Sequence, residues 1–308
     1  MSAFTADRAG VSAATVHAAI PMPDVLPPVK LRRGFIGFLR RNPTIAIGAG
    51  LLLIMLFIAV FAPYLWTKDP TALAPAMRTR EPAARWWFGT DMLGRDVYSR
   101  VLYGARVSLL VGVAVAALSS AVGLAIGLVS GFFRSVDAVV MRIMDGMMSI
   151  PPILLAIALM ALTRGSVQNV IIAISIAEVP RVSRLVRGVV LSLREQPYVE
   201  AAVASGTRTG RILIRHILPN TLAPLTVQAT YICAAAMITE SILSFIGAGT
   251  PPTVPSWGNI MAEGRALWQV KPYIVFFPAL FLSVTVLAIN LVGDGLRDIL
   301  DPRMAKSL

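Results

Sequence analysis

Six stretches of this chain stay apolar for about 20 residues at a time, the length a helix needs to cross the hydrocarbon core of a bilayer. They cover 45–65, 108–133, 138–162, 169–190, 222–245 and 273–292. The pattern predicts an all-α, polytopic membrane protein with six transmembrane helices and no separate soluble domain. Composition agrees: 56% of the 308 residues are hydrophobic and 14% charged, whereas ordinary soluble domains carry about 25% charge. A water-soluble chain of this size has too little interior to hide so much apolar surface.

Two of the six runs are irregular. The third is interrupted by Pro151 and Pro152. The fourth holds Glu178, Pro180, Arg181, Arg184 and Arg187. Its three arginines recur at i, i+3 and i+6, which puts them on one helical face. Such a face can meet water, headgroups or protein but not acyl chains, so 169–179 is expected in the membrane and the Arg-bearing end on the cytoplasmic side. The second run is dense in small residues from Gly112 to Gly127. Small residues let helix backbones approach closely in lipid, either within one bundle or against a second, similar subunit.

Orientation follows the bias of Lys and Arg toward the cytoplasm. Lys30, Arg32, Arg33, Arg40 and Arg41 place the N-terminus inside, and six crossings return the C-terminus inside. The fourth-to-fifth connection falls inside with Arg181, Arg184, Arg187, Arg194, Arg208, Arg211 and Arg215. Against the rule, the outer loop 66–105 holds Lys68, Arg78, Arg80, Arg85, Arg95 and Arg100, partly balanced by Asp69, Glu81, Asp91 and Asp96. Residues 1–34 have four prolines between 21 and 28 and no apolar run, and read as a disordered cytoplasmic tail rather than a signal peptide. The membrane-embedded body is expected over 35–303, with a cytoplasmic loop at 191–221 and a short cytoplasmic tail at 304–308.

Several chemistries are excluded. The net charge of +12 is carried by clusters between apolar runs, which suits membrane-flanking loops rather than a nucleic-acid face. Cys233 is the single cysteine, and His17 and His216 are far apart, so no metal site is indicated. None of Lys30, Lys68, Lys271 and Lys306 follows a glycine, so the chain has no phosphate-binding GxxxxGK[ST] loop. No HExxH occurs. The chain is expected to be non-catalytic and to bind no cofactor.

The most informative polar stretch is 200–220, EAAVASGTRTGRILIRHILPN. Pro197 can open a helix, and Glu200 favours its positive N-terminal end. Ala201, Ala202 and Ala204 leave a flat surface, Gly206 can end the helix, and Thr207 can cap the next one. Arg208, Arg211 and Arg215 form a charged stripe at i, i+3 and i+7, and Leu218-Pro219 is expected to stop the second helix before the fifth span. The stretch reads as a helix–turn–helix surface on which a soluble partner docks, or as a solvated basic loop.

Elsewhere, Asp91 with Arg95 and Asp96 with Arg100 are spaced i, i+4, as exposed pairs on a short amphipathic helix would be. That helix is either structural or a seat for an extracytoplasmic partner. Pro251, Pro252, Pro255 and Trp257 make a stiff outer loop with an interfacial aromatic. Arg142 and Asp145, at i and i+3, are expected to pair in the membrane; with Glu178 and Glu240 they serve as helix glue or line a transport path.

Four blocks carry a family resemblance. Glu200-Ala201-Ala202, then Gly206 and Leu218-Pro219, resembles the EAA loop of bacterial ABC importer permeases, with His216 where the general pattern has Ile. WFGTDMLGRDVYSRVLYGAR (87–106), SFIGAGTPPTVPSWGNIMAEGR (244–265) and LVGDGLRDILDPR (291–303) resemble the C-type permease of the dipeptide, oligopeptide and nickel importers. The resemblance spans about residues 35–303. It implies a type I importer permease fold in a bacterial inner membrane. It also implies a homologous B-type permease partner, two ATPase subunits that bind ATP and Mg²⁺, and an extracytoplasmic solute-binding protein. Implied cargoes are di- or oligopeptides, with glutathione, opines and nickel chelates as alternatives. A secondary transporter or stand-alone channel is the rival of a different class, expected to show internal repeats and intramembrane ion sites.

Overall fold

The computed structural model describes residues 42–300. The expected tails at 1–34 and 304–308, and the cation cluster at 30–41, lie outside the described residues. Among those described, every regular element is a helix and no strand forms. In chain order these are α1 (Pro43–Phe61), α2 (Val97–Phe132), α3 (Arg134–Met148), α4 (Pro152–Ala161), α5 (Val167–Arg194), α6 (Pro197–Ala204), α7 (Thr209–Ile212), α8 (Leu218–Phe245), α9 (Trp257–Gly264) and α10 (Tyr273–Leu300).

Among the described residues, four helical stretches are long and apolar enough to cross a membrane: Pro43–Tyr64, Val97–Phe132, Thr209–Phe245 and Tyr273–Leu300. The number rises to five if α3 and α4 count as one broken span, bent by 88°. Pro151 and Pro152 cause the break, because the residue before each proline is forced out of the helical region. Helix α5 has the length of a span, 28 residues, but Glu178, Arg181, Arg184 and Arg187 interrupt its apolar character.

The second span is longer than its apolar core suggests. Helix α2 starts at Val97 and has 36 residues, about 54 Å at 1.5 Å per residue. Asp96 starts it, its carboxylate accepting from the Ser99 N–H at 3.0 Å. The seam between α2 and α5 explains the density of glycine. An added Cβ on Gly123, Gly127 or Gly131 would lie 2.5, 2.6 or 2.6 Å from the Cβ of Val182, Val186 or Val190. Gly112 faces Met237 and Cys233 of α8 in the same way. This glycine face is therefore consumed within the chain, while Ala117, Ala121 and Ala125 remain exposed on another face of α2.

Helix α3 resolves the problem of the Arg face on α5. Asp145 pairs with Arg184 at 2.5 Å and Asp137 with Arg187 at 2.5 Å, while Arg181 pairs with Glu178 on its own helix at 3.2 Å. The expected Arg142–Asp145 pair does not form. Arg142 is exposed and has no ion-pair partner among the described residues, because Asp145 is turned toward α5.

A second correction concerns Pro219. Helix runs without a stop from Thr209 to Phe245, through a π turn at Leu213–Ile217. Pro219 sits in the first turn of α8, where its missing N–H is tolerated after the wider π turn. It shapes the helix and does not end it.

Candidate functional site

Two polar regions stand at opposite ends of the helices. One gathers segment 62–96, the 162–166 turn and segment 246–272; the other is the 195–217 connection between α5 and α8.

At the first end, charges expected on a surface helix are buried in a loop. Asp91 is fully buried and Arg100 is 1% exposed. The Asp91 carboxylate accepts from Arg95 Nε at 2.7 Å and Arg100 Nη1 at 2.5 Å, and from the backbone N–H groups of Leu93 and Arg95 at 2.8 and 2.9 Å. Both arginines also reach Glu263 on α9. Residues 91–95 are not helical, and Asp96 caps α2 instead of pairing with Arg100. The spacing predicts two exposed i, i+4 pairs; what forms is one closed cluster of two acids and two arginines, joining loop, α2 and α9. Glu263 has no local spacing that points to it. Only the surplus of arginine in 87–106 signals a missing acid.

Trp257 is also fully buried. Its indole N–H donates to the Val101 carbonyl at 3.0 Å, and Gly104 makes room for the ring. It pins α9 to α2 and offers no surface to a partner in this conformation. Pro251 is half-buried, and its carbonyl accepts from Asn259 Nδ2 at 2.8 Å, as does that of Val254 at 3.0 Å. Glu240, fully buried in α8, accepts from Ser244 Oγ at 2.8 Å and faces Thr250 Oγ1 at 3.4 Å. Glu178 is held by Arg181. Of the four intramembrane polar candidates, Glu178, Glu240 and Asp145 thus make local or inter-helix ties, and Arg142 does not. On the loop surface, Lys271 bonds Glu81 at 2.7 Å and holds its carboxyl below the usual carboxylate range.

At the second end, α6 carries Pro197 in its first turn and Glu200 near its N-terminus. Gly206 has φ +74° and closes the helix. Its N–H donates to Val203 O at 2.9 Å, and the Thr207 N–H donates to Ala202 O at 3.1 Å. These two bonds form a Schellman motif. Thr207 is thus part of the C-terminal cap of α6, and Arg208, not Thr207, occupies the N-cap of α7, with no side-chain cap bond. Val199, Ile212 and Ile217 are buried and anchor the elbow to the helical core. Glu200, Ala201, Arg208, Arg211 and Pro219 are exposed, and Ala202 and Leu218 are half-buried. None of Glu200, Arg208, Arg211 and Arg215 has an ion-pair partner among the described residues. The exposed apolar side chains Tyr198, Val203 and Ile214 surround them.

Comparison with known proteins matches two family models. Residues 123–306 fit the binding-protein-dependent transport system inner membrane component, and residues 33–82 the N-terminal TM domain of oligopeptide transport permease C. Among relatives, the chain is 52% identical over 264 residues to the "Probable peptide ABC transporter permease protein y4tQ" of Sinorhizobium fredii, covering 86% of this chain and 90% of that one. It is 42% identical over 267 residues to the dipeptide transport system permease protein of Alkalihalophilus pseudofirmus, covering 86% and 88%. It is 39% identical over 270 residues to the glutathione transport system permease protein of Pectobacterium atrosepticum, covering 87% and 89%.

Proposed function

The chain belongs to the family of binding-protein-dependent transport system inner membrane components, and from this premise we propose that it is a permease subunit of an ATP-driven importer of di- or oligopeptides. Family membership sets aside the secondary transporter and the stand-alone channel. In this reading the chain crosses a bacterial inner membrane six times, with α1, α2, the α3–α4 pair, α5, α8 and α10 as the crossings and both termini in the cytoplasm. It forms half of the translocation path beside a homologous B-type subunit. Two ATPase subunits carry ATP and Mg²⁺, and a solute-binding protein delivers cargo from outside.

The observation that carries this reading is the elbow at 197–211. Exposed acid, arginine and apolar side chains sit on two short helices whose buried anchors, Val199, Ile212 and Ile217, tie them to the helical core. From Thr209 the helix continues to Phe245. A partner that seats on α6 and moves would therefore rotate α5 and α8 as levers, switching the path between inward-open and outward-open. Energy enters at the ATPases and this chain converts it to motion. The peptide cargo rests on the names of relatives; a glutathione transporter subunit stands among them, and opines or nickel chelates are the remaining alternatives.

The test uses the reconstituted four-component complex. Peptide uptake into vesicles should require ATP and the binding protein, while this chain purified alone should hydrolyse no ATP. Reporter fusions after Arg164 and after Pro255 should lie outside, and one after Arg208 inside. A cytoplasmic signal at Pro255, or ATP hydrolysis by the chain alone that is lost on mutating one of its own residues, would overturn the reading.

A further inference from the structure

The proposed orientation leaves an anomaly, because six cations, Lys68, Arg78, Arg80, Arg85, Arg95 and Arg100, fall on the side of the membrane that usually has few. Half of them are accounted for. Arg95 and Arg100 are neutralised by Asp91 and Glu263. Lys68 Nζ lies 3.4 Å from the centroid of the Trp86 ring and donates to the Arg85 carbonyl at 3.2 Å. The acids on the same surface are already engaged: Glu81 with Lys271, and Asp69 with the N–H and hydroxyl of Thr71. Arg78, Arg80 and Arg85 are exposed and lack an ion-pair partner among the described residues; Arg85 only approaches the Trp86 ring, at 5.9 Å.

The backbone that presents these three side chains is held firmly. Arg80 N–H donates to Thr90 Oγ1 at 2.8 Å, and its carbonyl accepts from the Thr90 N–H at 2.9 Å and the Tyr273 hydroxyl at 2.8 Å. Thr79 N–H donates to Asp91 O at 3.0 Å, and the Thr90 hydroxyl donates to Met77 O at 2.5 Å. The frame therefore rests on the same Asp91 loop that contains the buried charge cluster. Even fully extended, 78–85 spans at most about 25 Å, which fits within one side of a standard interface of about 800 Å² per partner.

We propose that Arg78, Arg80 and Arg85 form a pre-built basic seat for an acidic surface of the soluble solute-binding protein. This rests on the importer reading and its orientation. Exposed charge at the rim of an interface acts mainly on encounter, speeding association by about 10- to 1,000-fold at low ionic strength. The aromatic side chains of the same segment, Tyr64 and Trp66, 81% and 85% exposed, suit a bilayer interface. The three guanidinium groups instead call for an anionic partner.

The experiment measures association of the complex's own loaded binding protein with the full complex in nanodiscs of neutral lipid. The triple variant R78Q/R80Q/R85Q should associate at least about tenfold more slowly than wild type at low salt. The difference should vanish near 1 M salt, where the Debye length falls to about 3 Å. Basal ATPase activity should be unchanged, and R78K/R80K/R85K should restore the rate. Equal rates for wild type and the Gln variant overturn the proposal, as does a Lys variant as slow as the Gln one. A defect seen only in nanodiscs with anionic lipid also overturns it and assigns the patch to lipid headgroups. If wild type itself shows no association with or stimulation by any binding protein, the importer reading fails, not the seat alone.

Discussion

The two polar ends of the molecule use the same side chains in opposite ways. At the end that the proposed orientation places outside, Asp91, Arg95, Arg100 and Glu263 are drawn into one cluster, and the arginines are at most 8% exposed. At the end that this orientation places in the cytoplasm, Glu200, Arg208 and Arg211 are exposed and have no ion-pair partner among the described residues. A buried cluster stabilises only when complete, since removing one member strands the others away from water. An exposed charge costs little to change and is free for a partner. The outer cluster therefore acts as a fastening among loop, α2 and α9, and the elbow as a surface awaiting contact.

The largest effect should come from opening the fastening. Asp91→Ala leaves two arginines with Glu263 alone and removes an acceptor from two backbone N–H groups. Breaking a buried pair in this way costs about 3–5 kcal/mol. The variant should lose most of its detergent-stable protein and melt well below wild type. Glu263→Gln should cost less, because that side chain is 23% exposed and partly reached by water. If Asp91→Ala melts like wild type, the cluster is not a fastening and the comparison collapses.

Next comes Gly206, where the elbow has its only strict backbone demand. Its φ of +74° disfavours any side chain, yet an added Cβ would meet nothing within 4 Å. The left-handed conformation costs an ordinary residue about 1–2 kcal/mol, and Asn bears it better than a β-branched residue. Gly206→Val should lower stability by about that amount and abolish transport, with the ATPase subunits lost or hydrolysing without regulation. Gly206→Asn and Gly206→Ala together separate two causes. Transport retained by Asn but not by Ala traces the loss to φ; transport lost in both traces it to a partner packed against the open face.

How far these features could be read from sequence depends on whether their causes are local. Spans α1, α8 and α10 follow from runs of apolar residues, and Gly206 from its place after an alanine-rich turn. The extension of α2 to Val97 was missed because Asp96, Ser99 and Arg100 look like solvent-exposed residues until their burial is known. Arg142–Asp145 was misread because i, i+3 spacing permits a pair but does not require one when Arg184 of another helix is nearer in space. Glu263 lies 168 residues from Arg95 in the chain, beyond any spacing argument. The exposed face of the elbow and the Gly206 turn are legible because their causes act within four or five residues, whereas Thr207 and Pro219, expected as a cap and a stop, instead join the C-terminal cap of α6 and the first turn of α8.

A smaller stability effect with a large functional one is expected at Ala201. Ala202 packs against the helical core, so enlarging it would distort the elbow itself. Ala201 is exposed beside Glu200, and Ala201→Trp with Glu200→Arg should change stability by no more than about 0.5 kcal/mol. A bulky side chain and a reversed charge on the seat should nonetheless reduce transport sharply and weaken retention of the ATPase subunits on the purified membrane subunits. Normal uptake and normal retention would mark the elbow as a solvated linker and leave the outer cluster without its functional counterpart.

The smallest effect belongs to an exposed ion pair near the same cluster, Lys271 with Glu81. Lys271 lowers the Glu81 pKa by hydrogen bonding and charge. A depressed carboxylate pKa contributes stability that is present above the unfolded-state value and is lost as pH falls through the folded value. Wild type and Glu81→Gln should therefore melt together in strong acid, where the carboxyl is neutral in both. At neutral pH wild type should be only slightly the more stable, and added salt should erase the gap. The buried cluster a few residues away should show no such sensitivity to salt, because its charges are shielded from solvent. A salt-resistant gap at Glu81 would mean that this pair belongs to the fastening, and that the boundary between buried and exposed charge at the outer end lies further out than Glu263.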